Sequence, residues 1–137
     1  LIGAVAVSML LSPLILVARQ GLPVKNTAEL IALAKKEPGK LNIASGGNGS
    51  TSHLASELLM SLTGTQMVPV PYKGGGPATT AVAAGEADVA FLDLGVAVPF
   101  VTAGRIRGVG VSGNARSALV PEVPAISESG VPRSYCW

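Results

Sequence analysis

Leu41-Asn42-Ile43-Ala44, then Ser45-Gly46-Gly47-Asn48-Gly49-Ser50-Thr51-Ser52-His53, then Leu54-Ala55-Ser56-Glu57-Leu58-Leu59 is the stretch that decides the fold. A short apolar run leads into a polar, Gly-rich loop, and the loop leads into leucines at helical spacing: Leu54, Leu58 and Leu62, with Ala55 and Leu59 beside them. Gly64 then supplies a helix stop. The reading is strand, loop, helix.

The same unit recurs on both sides. Upstream, Asn26-Thr27-Ala28-Glu29 reads as a helix start, with Asn26 capping free amides and Glu29 reaching back. Glu37-Pro38-Gly39 ends that helix, because the residue before proline avoids helical dihedrals. Downstream, residues 66–70 form a strand, Pro71-Tyr72-Lys73-Gly74-Gly75-Gly76 a loop, and residues 77–84 an Ala-rich helix opened by Pro77 and closed by Gly85. Residues 88–92 and 106–112 are further strands, separated by a short helix over 96–103. Strands alternating with helices predict an α/β fold with a mostly parallel sheet and right-handed crossovers.

Residues 1–18 are uncharged and admit three readings. A run of about 18 apolar residues reaches the lower threshold for a membrane span. A signal peptide is the second, although no basic segment precedes the apolar one. The third, favoured by Val and Ile content and by the break at Ser12-Pro13, is a pair of buried strands over 3–7 and 14–18.

Composition narrows the function. Of the 137 residues, 48% are hydrophobic and 13% charged, which excludes a disordered chain. The net charge of +2 comes from scattered basic residues, so no nucleic-acid partner is expected. One cysteine, Cys136, and one histidine, His53, argue against a metal site, and no cofactor is expected. The P-loop pattern is absent. The dinucleotide fingerprint begun by Gly47 and Gly49 fails at Ser52, and no serine occupies a nucleophile elbow. The chain reads as a binder, not an enzyme.

In a parallel sheet, ligands bind beyond the carboxyl ends of the strands. That rule selects three loops. In the first, the glycines, Gly46 and Gly49 among them, let backbone approach a ligand. Ser45, Ser50, Thr51 and Ser52 add hydroxyls, and the helix's first amides suit a carboxylate or phosphate. The same loop also reads as a Ser/Thr-capped turn without a ligand, and His53 as a structural first-turn residue. In the second loop, Tyr72, Lys73 and Gly74 offer a flat ring, a charge and close backbone approach, against the alternative of a core tyrosine beside a solvated lysine. In the third, Asp93 either caps the following helix or accepts a hydrogen bond from a ligand. Glu86 and Asp88 fall at a helix–strand corner and read as solvated.

The ordered combination of segments carries a family resemblance. Leu22-Pro23-Val24-Lys25, Pro38-Gly39-Lys40-Leu41-Asn42, Ala44-Ser45-Gly46-Gly47-Asn48-Gly49-Ser50, Val70-Pro71-Tyr72-Lys73-Gly74-Gly75-Gly76-Pro77, Ala103-Gly104-Arg105-Ile106-Arg107 and Glu128-Ser129-Gly130-Val131-Pro132 resemble the extracytoplasmic solute receptors of tripartite tricarboxylate transporters, the Bug-type receptors. The resemblance implies a periplasmic-binding-protein-like, or Venus-flytrap, lobe that captures a small organic acid in the periplasm for a membrane permease. It implies ligand contacts from loops 45–53 and 71–76. The family often has Phe-Asp where this chain has Phe91-Leu92-Asp93, so Asp93 is displaced from the pattern.

It also implies domains: residues 1–21 as partial strands of the first lobe, 22–120 as the ligand-binding lobe, and 121–137 as a truncated return toward the first lobe. The tail Arg133-Ser134-Tyr135-Cys136-Trp137 departs from the family's Gly-Tyr-Glu-like continuation. The alternative, by fold analogy alone, is the effector-binding domain of a regulatory protein.

Overall fold

A computed structural model describes residues 14–47, 51–111 and 123–124. Their elements run β1 (Leu14–Arg19), α1 (Thr27–Lys36), β2 (Asn42–Ser45), α2 (Thr51–Thr63), β3 (Val68–Pro71), α3 (Gly75–Ala84), β4 (Val89–Asp93), α4 (Leu94–Thr102) and β5 (Ile106–Val111). The strand expected over 3–7 lies outside the described residues. No helix among them is long and apolar enough to cross a membrane.

The sheet order is β3-β2-β4-β1-β5. β2 pairs in parallel with β3 and β4, whereas β1 runs antiparallel to both β4 and β5. β2, β3, β4 and β5 therefore share one direction and β1 alone opposes them, which bears out a mostly parallel α/β sheet. The expectation that residues 1–21 serve a different lobe does not hold for β1, which sits between β4 and β5 in the sheet built by residues 22–120. The physical reason is burial on both faces. Leu14, Leu16 and Ala18 enter the apolar layer beneath α1 and α2, while Ile15 and Val17 enter the layer beneath α3 and α4. Each such Leu, Ile or Val stabilises the fold by about 1.5–3 kcal/mol when fully buried.

The two layers differ in texture. Leu30, Ala34, Ala55 and Leu59 meet Ile43, Val89 and Phe91 on one face. On the other, Ala78, Ala81 and Val82 of α3 bring that helix close to Ala44 and Ala90. The α1 start follows the sequence reading, since Asn26 Oδ1 accepts from Glu29 N–H at 2.9 Å.

β5 carries a bulge. Leu16 opposes Gly110 but Val17 opposes Gly108, leaving Val109 unpaired in the ladder. The extra residue puts Val109 in one apolar layer and Val111 in the other. Gly108 leaves room for Val123: a Cβ there would stand 2.6 Å from Val123 Cγ2, so any side chain would force Val123 to shift. Beyond Val123, Val111 N–H donates to Pro124 O at 3.0 Å.

At the edge where β2 and β4 begin, Asp88 is not the solvated corner residue its position suggested. Its Oδ1 accepts from Arg19 Nε at 2.7 Å and its Oδ2 from Asn42 N–H at 2.9 Å. Glu86 is exposed.

Candidate functional site

Parallel pairing puts the carboxyl ends of β2, β3 and β4 on one edge, together with the start of β1. Three helices, α2, α3 and α4, leave that edge with their N-terminal turns facing it. Such turns present amides that have no partner within the helix and carry partial positive charge.

The first two loops are joined by backbone. Tyr72 N–H donates to Ser45 O at 2.9 Å, and Gly74 N–H donates to Gly46 O at 3.1 Å. At Gly46 a Cβ would stand 3.5 Å from the carbonyl carbon of Gly74, so the chains already touch without side chains. Gly74, at φ +107°, occupies a conformation that residues with a Cβ rarely adopt. Within the first loop, Ser52 Oγ accepts from Gly46 N–H at 2.9 Å, fixing the start of α2 against the end of β2. Ser45, buried, accepts from Gly47 N–H through its hydroxyl at 3.4 Å.

These contacts frame an open cavity of ≈ 220 Å³ lined by Leu14, Gly46, Ser52, Gly74, Gly75, Phe91, Leu92 and Asp93. Leu14, Phe91 and Leu92 are its apolar, largely buried lining; the rest is glycine backbone, a serine and an aspartate.

Of the residues expected at a site, the fold brings Gly46, Ser52, Gly74 and Asp93 together around this cavity. Ser45 supports it from beneath. Thr51 opens α2. Gly49 and Ser50 lie outside the described residues. His53 faces Glu57 one turn on, with Nε2 3.5 Å from Oε1, and does not line the cavity. Tyr72 packs against the α3–α4 apolar layer, and Lys73 is exposed; neither lines the cavity. Asp93 occupies the N-cap position of α4, but its side chain makes no capping hydrogen bond, so the capping alternative is set aside.

Leu14, Gly75, Phe91 and Leu92 were not singled out from the sequence. Phe91 and Leu92 read as ordinary strand residues, and the approach of Leu14 depends on β1 pairing with β4, which places Leu14 opposite Asp93. Gly75 lay inside a flagged loop without distinction from its neighbours.

A three-layer α/β lobe with a partly polar cavity at the carboxyl edge of its sheet is the architecture of a small-molecule binding lobe. Comparison with known proteins narrows the class. The family model described as tripartite tricarboxylate transporter family receptor matches residues 4–137, and the chain belongs to that family. It is 35% identical over 123 residues to a UPF0065 protein of Bordetella pertussis, covering 90% of this chain and 38% of that protein. An R. palustris protein solved with adipate superposes with a TM-score of 0.85 at 35% identity, over 88% of this chain and 40% of that one. MatC of Rhodopseudomonas palustris, solved with bound malate, superposes with a TM-score of 0.84 at 31% identity, over 88% and 41%. This chain thus spans about two fifths of the length of these relatives.

Proposed function

We propose that the chain is the ligand-binding lobe of an extracytoplasmic receptor that captures a small organic acid in the periplasm and presents it to a membrane permease of the tripartite type. It binds its ligand without transforming it. The observation that carries this reading is the junction of the Gly46 and Gly74 loops at the N-terminal turns of α2 and α3, beside one cavity. Backbone amides at helix starts hold carboxylates well, and glycines let the ligand approach them. Membership of the receptor family supports it, as do the adipate and malate found in two relatives. Within the reading, Gly46, Ser52 and Gly74 contact the ligand.

Titration of the isotope-labelled chain with adipate and malate, followed by amide chemical shifts, tests the site. Shifts concentrated at Gly46, Ser52, Gly74 and Gly75, and weakened in Gly46→Val, are expected. Shifts confined to the opposite edge around Asn42 and Asp88 would overturn the assignment.

A further inference from the structure

We infer that Asp93 selects the ligand, favouring a carboxylate that also carries a hydroxyl or ammonium group over a plain dicarboxylate. The inference rests on the carboxylate-binding reading above and adds what the charged member of the cavity lining requires.

Among the described residues, Asp93 is the charged member of the cavity lining; the others are glycines, a serine and apolar residues. Lys73, the cationic side chain expected at the site, is exposed and does not line the cavity. A second carboxylate placed against Asp93 would meet a like charge, with no cation among the described lining residues to offset it. A hydroxyl or ammonium would instead donate into an acceptor that is already there.

The position of Asp93 points the same way. An aspartate at a helix N-cap ordinarily accepts from the amides of the first helical turn. Asp93 has N-cap backbone geometry, φ −63° and ψ 135°, yet makes no such bond. Its side chain forgoes the local contact and remains exposed at the cavity. The apolar lining residues Leu14, Phe91 and Leu92 supply no competing side-chain donor.

Asp93 lines the same cavity as Gly46, Ser52 and Gly74, with Leu14 beside it through the β1–β4 pairing. A ligand whose carboxylate meets the α2 and α3 starts can therefore present a hydroxyl or ammonium group to Asp93 within one cavity.

The test compares succinate, malate and aspartate, which share a four-carbon diacid skeleton and differ in the substituent on carbon 2. Dissociation constants come from amide shifts of the labelled 137-residue chain. Malate or aspartate should bind about tenfold tighter than succinate, the scale of one charge-assisted hydrogen bond. The two arms separate a hydroxyl preference from an ammonium preference.

In Asp93→Asn the preference for aspartate should collapse and succinate should gain affinity, because the repulsion is removed. Asp93→Ser, which keeps a good N-cap residue, should behave in the same direction and separates charge from helix stability. Equal affinities in the unmodified chain, or a preference that survives both variants, would overturn the role of Asp93 while leaving the carboxylate site intact. Absence of shifts around Gly46 and Gly74 with all three acids would overturn both readings.

Discussion

The Asp88 carboxylate accepts from the Arg19 guanidinium and from Asn42 N–H, while its backbone carbonyl accepts from Arg19 N–H at 2.8 Å. One residue thus joins β1, the start of β2 and the approach to β4, with its side chain only 18% exposed. Removing it leaves a half-buried amide and a guanidinium without their acceptor. Asp88→Ala should therefore lower stability by about 2 kcal/mol in urea unfolding, and Asp88→Asn, which keeps an acceptor for Asn42, by about half of that. Equal losses for the two variants would mean that the negative charge, and not the amide's acceptor, carries the effect.

Neither contact was legible beforehand. Arg19 and Asp88 lie 69 positions apart, and only the pairing of β1 with β4 brings them together. At Asp93 the sequence offered capping ahead of ligand binding, and both use the same carboxylate. The folded chain puts Asp93 at the N-cap position without the side-chain capping bond, which no local signal foretells.

At the scale of elements, β3 forms one edge of the sheet and is guarded by its prolines. Val68 N–H donates inward to Leu41 O and Tyr72 N–H to Ser45 O, so the alternate positions, Pro69 and Pro71, turn their nitrogens outward. An edge without donors is a poor template for another strand. Replacing both prolines with threonine should restore those donors and produce concentration-dependent association in sedimentation velocity, helped by the 43% exposed Val68. A double variant that sediments like the parent would show that the prolines have no protective role.

The helices and the parallel strands were readable because their caps, glycine stops and apolar spacing are local. β1 was readable as a strand and not as a member of this sheet. Five consecutive buried apolar residues from Leu14 to Ala18 have no polar face, so they carry no signal of direction or neighbours. The bulge at Val109 is likewise a property of two strands together.

For the whole molecule, affinity depends on enclosure. The cavity is open, with about half its lining made of backbone and small side chains. A ligand held from one side keeps its other face hydrated, and each missing charge-assisted hydrogen bond forgoes about 1.5–3 kcal/mol. The 137-residue chain should accordingly bind organic acids with dissociation constants in the millimolar range, about −4 kcal/mol, measured by titration calorimetry. Micromolar binding would show that this lobe completes the site alone. The overall assignment was legible from the sequence because glycine loops fell at the strand-to-helix junctions in a fixed order. The composition of the cavity was not, because much of it comes from strands whose apolar residues look like any core.

The bond pattern of β1 also sets how the lobe responds to force. Ile15 and Val111 are ladder partners, so the chain enters β1 and leaves β5 at the same edge, about 5 Å apart. Traction on the chain at those two points loads the ladder from one end, and its hydrogen bonds break in succession instead of sharing the load in shear. Traction on Leu14 would peel β1 from β4 and β5 together, starting beside the cavity, because both neighbours run antiparallel to it. Under tension the cavity would lose Leu14 from its lining first, making the cavity edge the mechanically soft end of the lobe and the Arg19–Asp88 corner its anchored one.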